Sequence, residues 1–213
     1  GEVLGLPTGN VTRGHRFHSS GDITLQRPED YVEALAAAKV VASFEQRREM
    51  IRDQVQVEAS ALKATAVIDD DLLDEVTGLV EWPVALTGSF EKRFLDVPPE
   101  ALVSSMKEHQ KYFHLVDADG KLRPNFITIS NIESKDPIQV IAGNERVIRP
   151  RLSDAAFFFE TDKKTSLEQR VPRLENVVFQ QKLGTLKDKT ARIEKLAGEL
   201  AQLIGSSPEL ARR

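Results

Sequence analysis

The sequence predicts an α+β fold. Period-two alternation of apolar and polar residues is concentrated between residues 83 and 130, while 3.6-residue periodicity occupies the stretches on either side. There is no internal repeat and no low-complexity tract. The 213 residues, 40% hydrophobic and 29% charged, suffice for one large domain or for one domain with part of another.

Residues 1–28 read as irregular, with strand-like pieces at "RGHRF" and "DITL". "RPEDYVEALAAAKVV" reads as a helix opened by Pro28 with acidic residues in its first turn. A second helix is expected from Ser43 to about Lys63, with Phe44, Met50, Ile51, Val55 and Ala59 forming its apolar stripe. "DDDLLDEVTGLV" should be a third, capped among Asp69 to Asp71 and ended by Pro83. Trp82, the only tryptophan, is expected in the core between helix and strand.

The texture then changes. "PVALTGSF" and "YFHLVDADGKLRPNFITISNI" read as strands, the second as a hairpin turning at "DADGK". Between them, "VPPEALVSSMKEH" is helical, entered through Pro98 and Pro99. "DPIQVIAGNERVIRPRLSDAAFFFETDKK" is strongly helical, kinked or restarted at Pro150. Residues 165–181 read as shorter helices. "GTLKDKTARIEKLAGELAQLIG" is an amphipathic helix with Thr185 as N-cap, Leu186, Ile193, Leu196, Leu200 and Leu203 near one face, and Gly205 as its stop. The chain starts at Gly1 without a methionine and reaches its end where "SPELARR" begins a new helix, so a piece of a longer protein is expected.

Composition narrows the chemistry. There is no cysteine, which removes disulfides, thiolate catalysis and sulfur-ligated zinc. No run approaches the roughly 18 apolar residues of a membrane span, and no secretory leader is visible. This suits a cytoplasmic protein with no membrane partner, which is the expectation. The net charge of −4 is uneven: residues 1–100 hold 10 basic and 18 acidic residues, the remainder 19 and 15. A polyanion would favour the second half.

Four stretches carry candidate chemistry. "TRGHRFH" packs two arginines and two histidines into seven residues. As a strand it would turn Arg13, His15 and Phe17 one way and Gly14, Arg16 and His18 the other. It reads as a polar edge, as an anion or RNA contact through Arg13 and Arg16, or as a metal or catalytic histidine site, though the spacing suits metal poorly. "SMKEHQKYFHLV" sets His109, Lys111 and Tyr112 at a helix-to-strand junction, a candidate cleft. "NERVIRPRLSDAAFFF" places Arg146 and Arg149 on one helix face, with Arg151 beyond the proline and Asp154 in reach of it. These arginines suit either an RNA backbone or salt bridges to the acidic first half. "FQQKLGTLKDKTARIEK" gives a basic run of Lys182, Lys187, Lys189, Arg192 and Lys195, either a solvated face or an RNA contact, with a helix N-terminus at Gly184–Thr185 that could receive a phosphate. No nucleotide fingerprint, metal-ligand spacing or nucleophile–base pair stands out, so no catalytic or metal residue is assigned.

Five stretches in order, "VTRGHRFH", "LVEWPVALTGSFEKRFLDVPPEALVSSMKEHQKYF", "GKLRPNFITISNIESKDP", "GNERVIRPRLSDAAFFF" and "VVFQQKLGTLKDKTARI", resemble the beta subunit of the bacterial two-subunit glycyl-tRNA synthetase. The resemblance covers nearly the whole chain and implies an internal section of that subunit. It implies that residues 1–160 form a domain similar to the B3/B4 domain of the phenylalanyl-tRNA synthetase beta chain. Residues 165–213 would begin a helical domain related to the HD phosphohydrolases. It further implies a ligase that attaches glycine to tRNA(Gly) using ATP and Mg²⁺, both bound with the aminoacylation site by the alpha subunit, so that this section needs no cofactor of its own. The implied partners are the alpha subunit and tRNA(Gly), and the implied role here is tRNA binding and scaffolding. Arg13, Arg16, Arg146, Arg149, Arg151, Lys182, Lys187, Lys189 and Arg192 are the RNA-contact candidates. The alternative is an editing-like or vestigial hydrolase module acting on aminoacyl-tRNA, with His109, Lys111 and Tyr112 near its cleft.

Overall fold

A computed structural model describes residues 1–211. The chain divides into two compact units, residues 1–157 and residues 158 onward. Helices and small antiparallel sheets mix throughout, an α+β architecture.

The first unit opens with two ribbons, β1 (Glu2–Val3) with β2 (Leu6–Pro7), and β3 (Val11–Arg13) with β4 (Asp22–Thr24). Helices α1 (Tyr31–Ala37) and α2 (Phe44–Ala61) follow. Ser43 caps α2, its Oγ accepting from the Gln46 N–H at 3.2 Å. After β5 (Thr65–Ala66) comes α3 (Asp70–Leu79), whose cap is Asp69, accepting from the Leu72 N–H at 3.0 Å. The main sheet is completed by β6 (Val84–Ser89), β7 (Phe113–Val116) and β8 (Leu122–Ser130), all antiparallel in the order β5-β7-β8-β6.

Alternation along β8 splits the interior between the sheet's two faces. Ile127 joins Ile51, Val55 and Ala59 of α2, Leu73 and Val76 of α3, and Phe113 and Leu115 of β7 in the core cluster. Each of the larger side chains here, once buried, stabilises by about 1.5–3 kcal/mol. Its neighbour Phe126 faces the other way and stacks on buried Tyr112, ring centroids 4.5 Å apart. Short α4 (Pro99–Ser104) continues into a π-helical segment, Ser105–His109, before β7.

Helix α5 (Pro137–Lys163) passes through Pro150 without restarting. Ile148 and Leu152 are wholly buried on either side of it, and that burial outweighs the roughly 3 kcal/mol that an internal proline costs.

The second unit contains α6 (Leu167–Arg170), a 3-10 turn over Val171–Asn176, the ribbon β9 (Val178–Gln180) with β10 (Gly184–Thr185), α7 (Leu186–Leu203) and α8 (Pro208–Ala211). The ribbon corrects the expectation of helices through residue 181. Val177, Val178 and Phe179 favour extended backbone, and Gly184 takes the left-handed φ of +84° that closes the turn. Helix α7 buries its small face, Gly198 and Ala201, while Ile193, Leu196, Leu200 and Leu203 are exposed.

Two further expectations give way. The "RGHRF" strand ends at Arg13, because the next residues turn back on α1. Trp82 is half-buried rather than core, and the Lys39 ammonium lies 4.5 Å from its ring centroid.

Candidate nucleic-acid interface

His15 is fully buried. Its backbone N–H donates to the Ala38 carbonyl at 2.9 Å, and the Phe17 N–H donates to its Nδ1 at 3.2 Å. With Nδ1 accepting, Nε2 carries the proton and donates to the Asn131 carbonyl at 2.7 Å. The Nε2 of His18 accepts from the Glu133 N–H at 2.9 Å, and the two imidazoles lie 4.7 Å apart. Gly14 sits so close to Ala38 and Ser19 that a side chain has no room there. Asn131 ties the arrangement together, its Oδ1 accepting from the N–H groups of Glu81 and Trp82 at 2.8 and 3.0 Å. The histidines of "TRGHRFH" are therefore structural clamps. Sequence reasoning missed Asn131, whose partners lie 49 to 116 residues away.

The arginines of this stretch differ. Arg13, at the end of β3, pairs with Asp22 of β4 at 2.9 Å on the surface. Arg16 is exposed and has no carboxylate partner among the described residues. On α5, Arg149 pairs with Glu91 at 2.9 Å, a link to the acidic first half, while Arg146 and Arg151 are exposed and unpaired among the described residues. Arg151 makes no ion pair with Asp154, contrary to the spacing argument.

In the second unit the predicted phosphate site at the start of α7 is already filled. The Thr185 N–H and Oγ donate to Asp188 Oδ2 at 2.7 and 2.9 Å, and the Asp188 N–H returns a bond to Thr185 Oγ. This is a capping box that supplies its own anion. The Thr185 N–H, then its hydroxyl, hold the Asp188 carboxyl below the usual aspartate range. Lys187 pairs with Glu175 at 2.8 Å. Lys189 lies 4.2 Å from the Phe179 ring centroid, a cation–π contact. Lys182 and Arg192 are exposed without ion pairs among the described residues.

His109, Lys111 and Tyr112 do not line one cleft. Tyr112 is buried and donates to Asn144 Oδ1 at 2.6 Å; burial pushes its phenol up to about 12. Lys111 pairs with Glu75 at 2.9 Å, and His109 is on the surface. It is His114 that lines a depression of about 540 Å³, with apolar neighbours including Leu95, Val97, Val103 and Leu122. Burial first, and then the Lys107 ammonium, lower the His114 imidazole below its ordinary value. Among the described residues no group of three histidines or carboxylates is close enough to hold a metal ion, and no helix is long and apolar enough to cross a membrane.

The whole chain, residues 1–213, matches the family model of the glycyl-tRNA synthetase beta subunit. It is 63% identical to the glycine–tRNA ligase beta subunit of Chromohalobacter salexigens over 99% of its length. It is 57% identical to that of Hahella chejuensis over its full length, and 55% to that of Pseudoalteromonas translucida. It spans about 31% of each of these relatives. On that match, the chain belongs to the glycyl-tRNA synthetase beta subunit family.

Proposed function

We propose that this chain is a section of a glycine–tRNA ligase beta subunit that grips tRNA(Gly) and scaffolds the enzyme during ATP-dependent attachment of glycine. The aminoacylation site, with ATP and Mg²⁺, belongs in this reading to the alpha subunit, in the cytoplasm. The observation that carries the reading is the basic face of the second unit. Lys182 and Lys189 make no ion pair with a carboxylate among the described residues, Arg192 meets Asp188 only through the longer-range field that helps lower that carboxyl, and Lys189 sits on Phe179 beside exposed Val178. Cations free of a close ion pair beside an accessible ring suit a phosphate backbone with unpaired bases. Arg146 and Arg151 offer a second set of unpaired cations on α5. The editing-like alternative draws no support from His109, Lys111 and Tyr112, which are divided between surface and interior.

The test uses the complete two-subunit enzyme with K182E/R192E in the beta chain and labelled tRNA(Gly). Binding should weaken, and its dependence on salt between about 50 and 200 mM should flatten, because each lost phosphate contact lowers the slope by about one. Unchanged affinity and slope would contradict the assignment.

A further inference from the structure

The clamp around His15 is rigid, and what it holds outward is chemically specific. Turn residues Gly14–His18 are fixed by the His15 bonds to Ala38 and Asn131, by the bond from Glu133 to His18, and by the close approach at Gly14. Between the two buried or half-buried histidines, Arg16 and Phe17 face solvent. Phe17 is 70% exposed, and the Arg16 guanidinium carbon lies 5.6 Å from its ring centroid. The ring keeps this exposure on a hydrogen-bonded turn, with the His15 ring 6.2 Å away between centroids. Both residues border a groove of about 730 Å³ whose lining includes Tyr31, Arg47, Leu79 and Glu81.

The charge of this groove is biased toward an anion. Arg47 is held by the Thr77, Val41 and Ala42 carbonyls, and its charge also acts on Glu45. Arg16 lacks an acidic partner among the described residues, and Glu81 is the one carboxylate in the lining. The Arg16 guanidinium, an exposed ring and a half-exposed tyrosine form a platform for a planar, negatively tethered group, and Arg47 adds positive charge from the groove wall. The rings of a paired base in a duplex are covered by their neighbours, so only an unpaired nucleotide presents the face that Phe17 needs.

We propose that this groove binds an unpaired nucleotide of the RNA, its base stacked on Phe17 and an adjacent phosphate held by Arg16. This rests on the reading that the chain engages tRNA, and adds a site in the first unit distinct from the basic face of the second.

The experiment measures tRNA(Gly) affinity and its salt slope for the complete two-subunit enzyme carrying F17L, F17W or R16Q, with K182E/R192E alongside. Phe17 is exposed, so F17L and F17W should leave folding and subunit assembly intact, which size-exclusion chromatography checks. F17L should weaken binding about tenfold with an unchanged salt slope, since stacking is not ionic. F17W should restore the affinity, and R16Q should lower the slope by about one. If F17L binds like the parent while K182E/R192E is impaired, the groove proposal is overturned and the tRNA reading stands. If both bind like the parent, both fail. If F17L instead dissociates the alpha subunit, the groove is a protein-docking surface and the nucleotide proposal is overturned.

Discussion

His15 and Asn131, 116 residues apart, are joined by a 2.7 Å hydrogen bond from a buried imidazole to a backbone carbonyl. The bond fastens the N-terminal turn to the end of β8 and makes His15 a folding residue. H15A leaves the Asn131 carbonyl and the Phe17 N–H without partners and opens a cavity, so it should destabilise by about 2–4 kcal/mol. Urea unfolding of the beta subunit, with hydrogen exchange over residues 10–40, measures this. A loss under about 0.5 kcal/mol would argue against the clamp. A large fall in turnover by fully folded enzyme would instead give His15 a chemical role.

The α7 cap makes a coupled prediction. Gly184 has φ +84°, and a Cβ there would collide with the Asp188 carboxylate. G184A should cost about 1–2 kcal/mol, D188A less, and the double variant less than their sum, because D188A removes the collision but leaves the backbone strain. Full additivity in thermal unfolding would contradict this geometry.

The same cap sets a pH dependence. The Asp188 carboxyl is held below its ordinary value of 3.8 by its bonds to Thr185. A depressed folded-state value gives stability that is complete above the unfolded value and is lost as pH falls through the folded one. Protection from hydrogen exchange at the start of α7, taken relative to the intrinsic rate at each pH, should therefore fall below about pH 4, and D188N should remove most of that dependence. An identical acid profile in D188N would refute the assignment.

Tyr112 titrates in the opposite sense. Burial pushes its phenol up to about 12 from the ordinary 10.0. The unfolded chain therefore loses its proton first, and this contribution to stability, whole below pH 10, declines as pH rises toward 12. Y112F should flatten that alkaline decline while costing about 1 kcal/mol at neutral pH, since Asn144 Oδ1 loses its donor. Alkaline unfolding indistinguishable from the parent would count against it.

On α5, neutralisation by Glu91 separates three arginines that look alike in sequence. R146Q/R151Q should lower the salt slope of tRNA binding by about two, whereas R149Q, already paired, should change it by less than one. Equal effects per residue would mean that the Glu91 pair opens on binding.

Local signals explain what could be read from the chain. Ser43, Asp69 and Thr185 announced their helices because a cap is decided within three residues, and "DADGK" announced the β7–β8 turn for the same reason. The misses involve distant partners. "RGHRF" alternates like a strand, but Ala38 and Asn131 bend it into a turn. Trp82 looked like core, yet Lys39 covers its ring at the surface. The β9–β10 ribbon was legible in "VVF", and the helix-forming residues around it masked that signal. Among the RNA candidates, spacing could not tell paired Arg13, Arg149 and Lys187 from unpaired Arg16, Arg146 and Arg151, because Asp22, Glu91 and Glu175 come from other elements.

The most direct test of the central claim is hydrogen exchange of the complete two-subunit enzyme with and without tRNA(Gly). Peptides covering residues 177–192 and 14–18 should gain protection on tRNA addition and should lose that gain at high salt. Protection confined to other parts of the enzyme, with both segments unchanged, would contradict the claim that this section grips the tRNA.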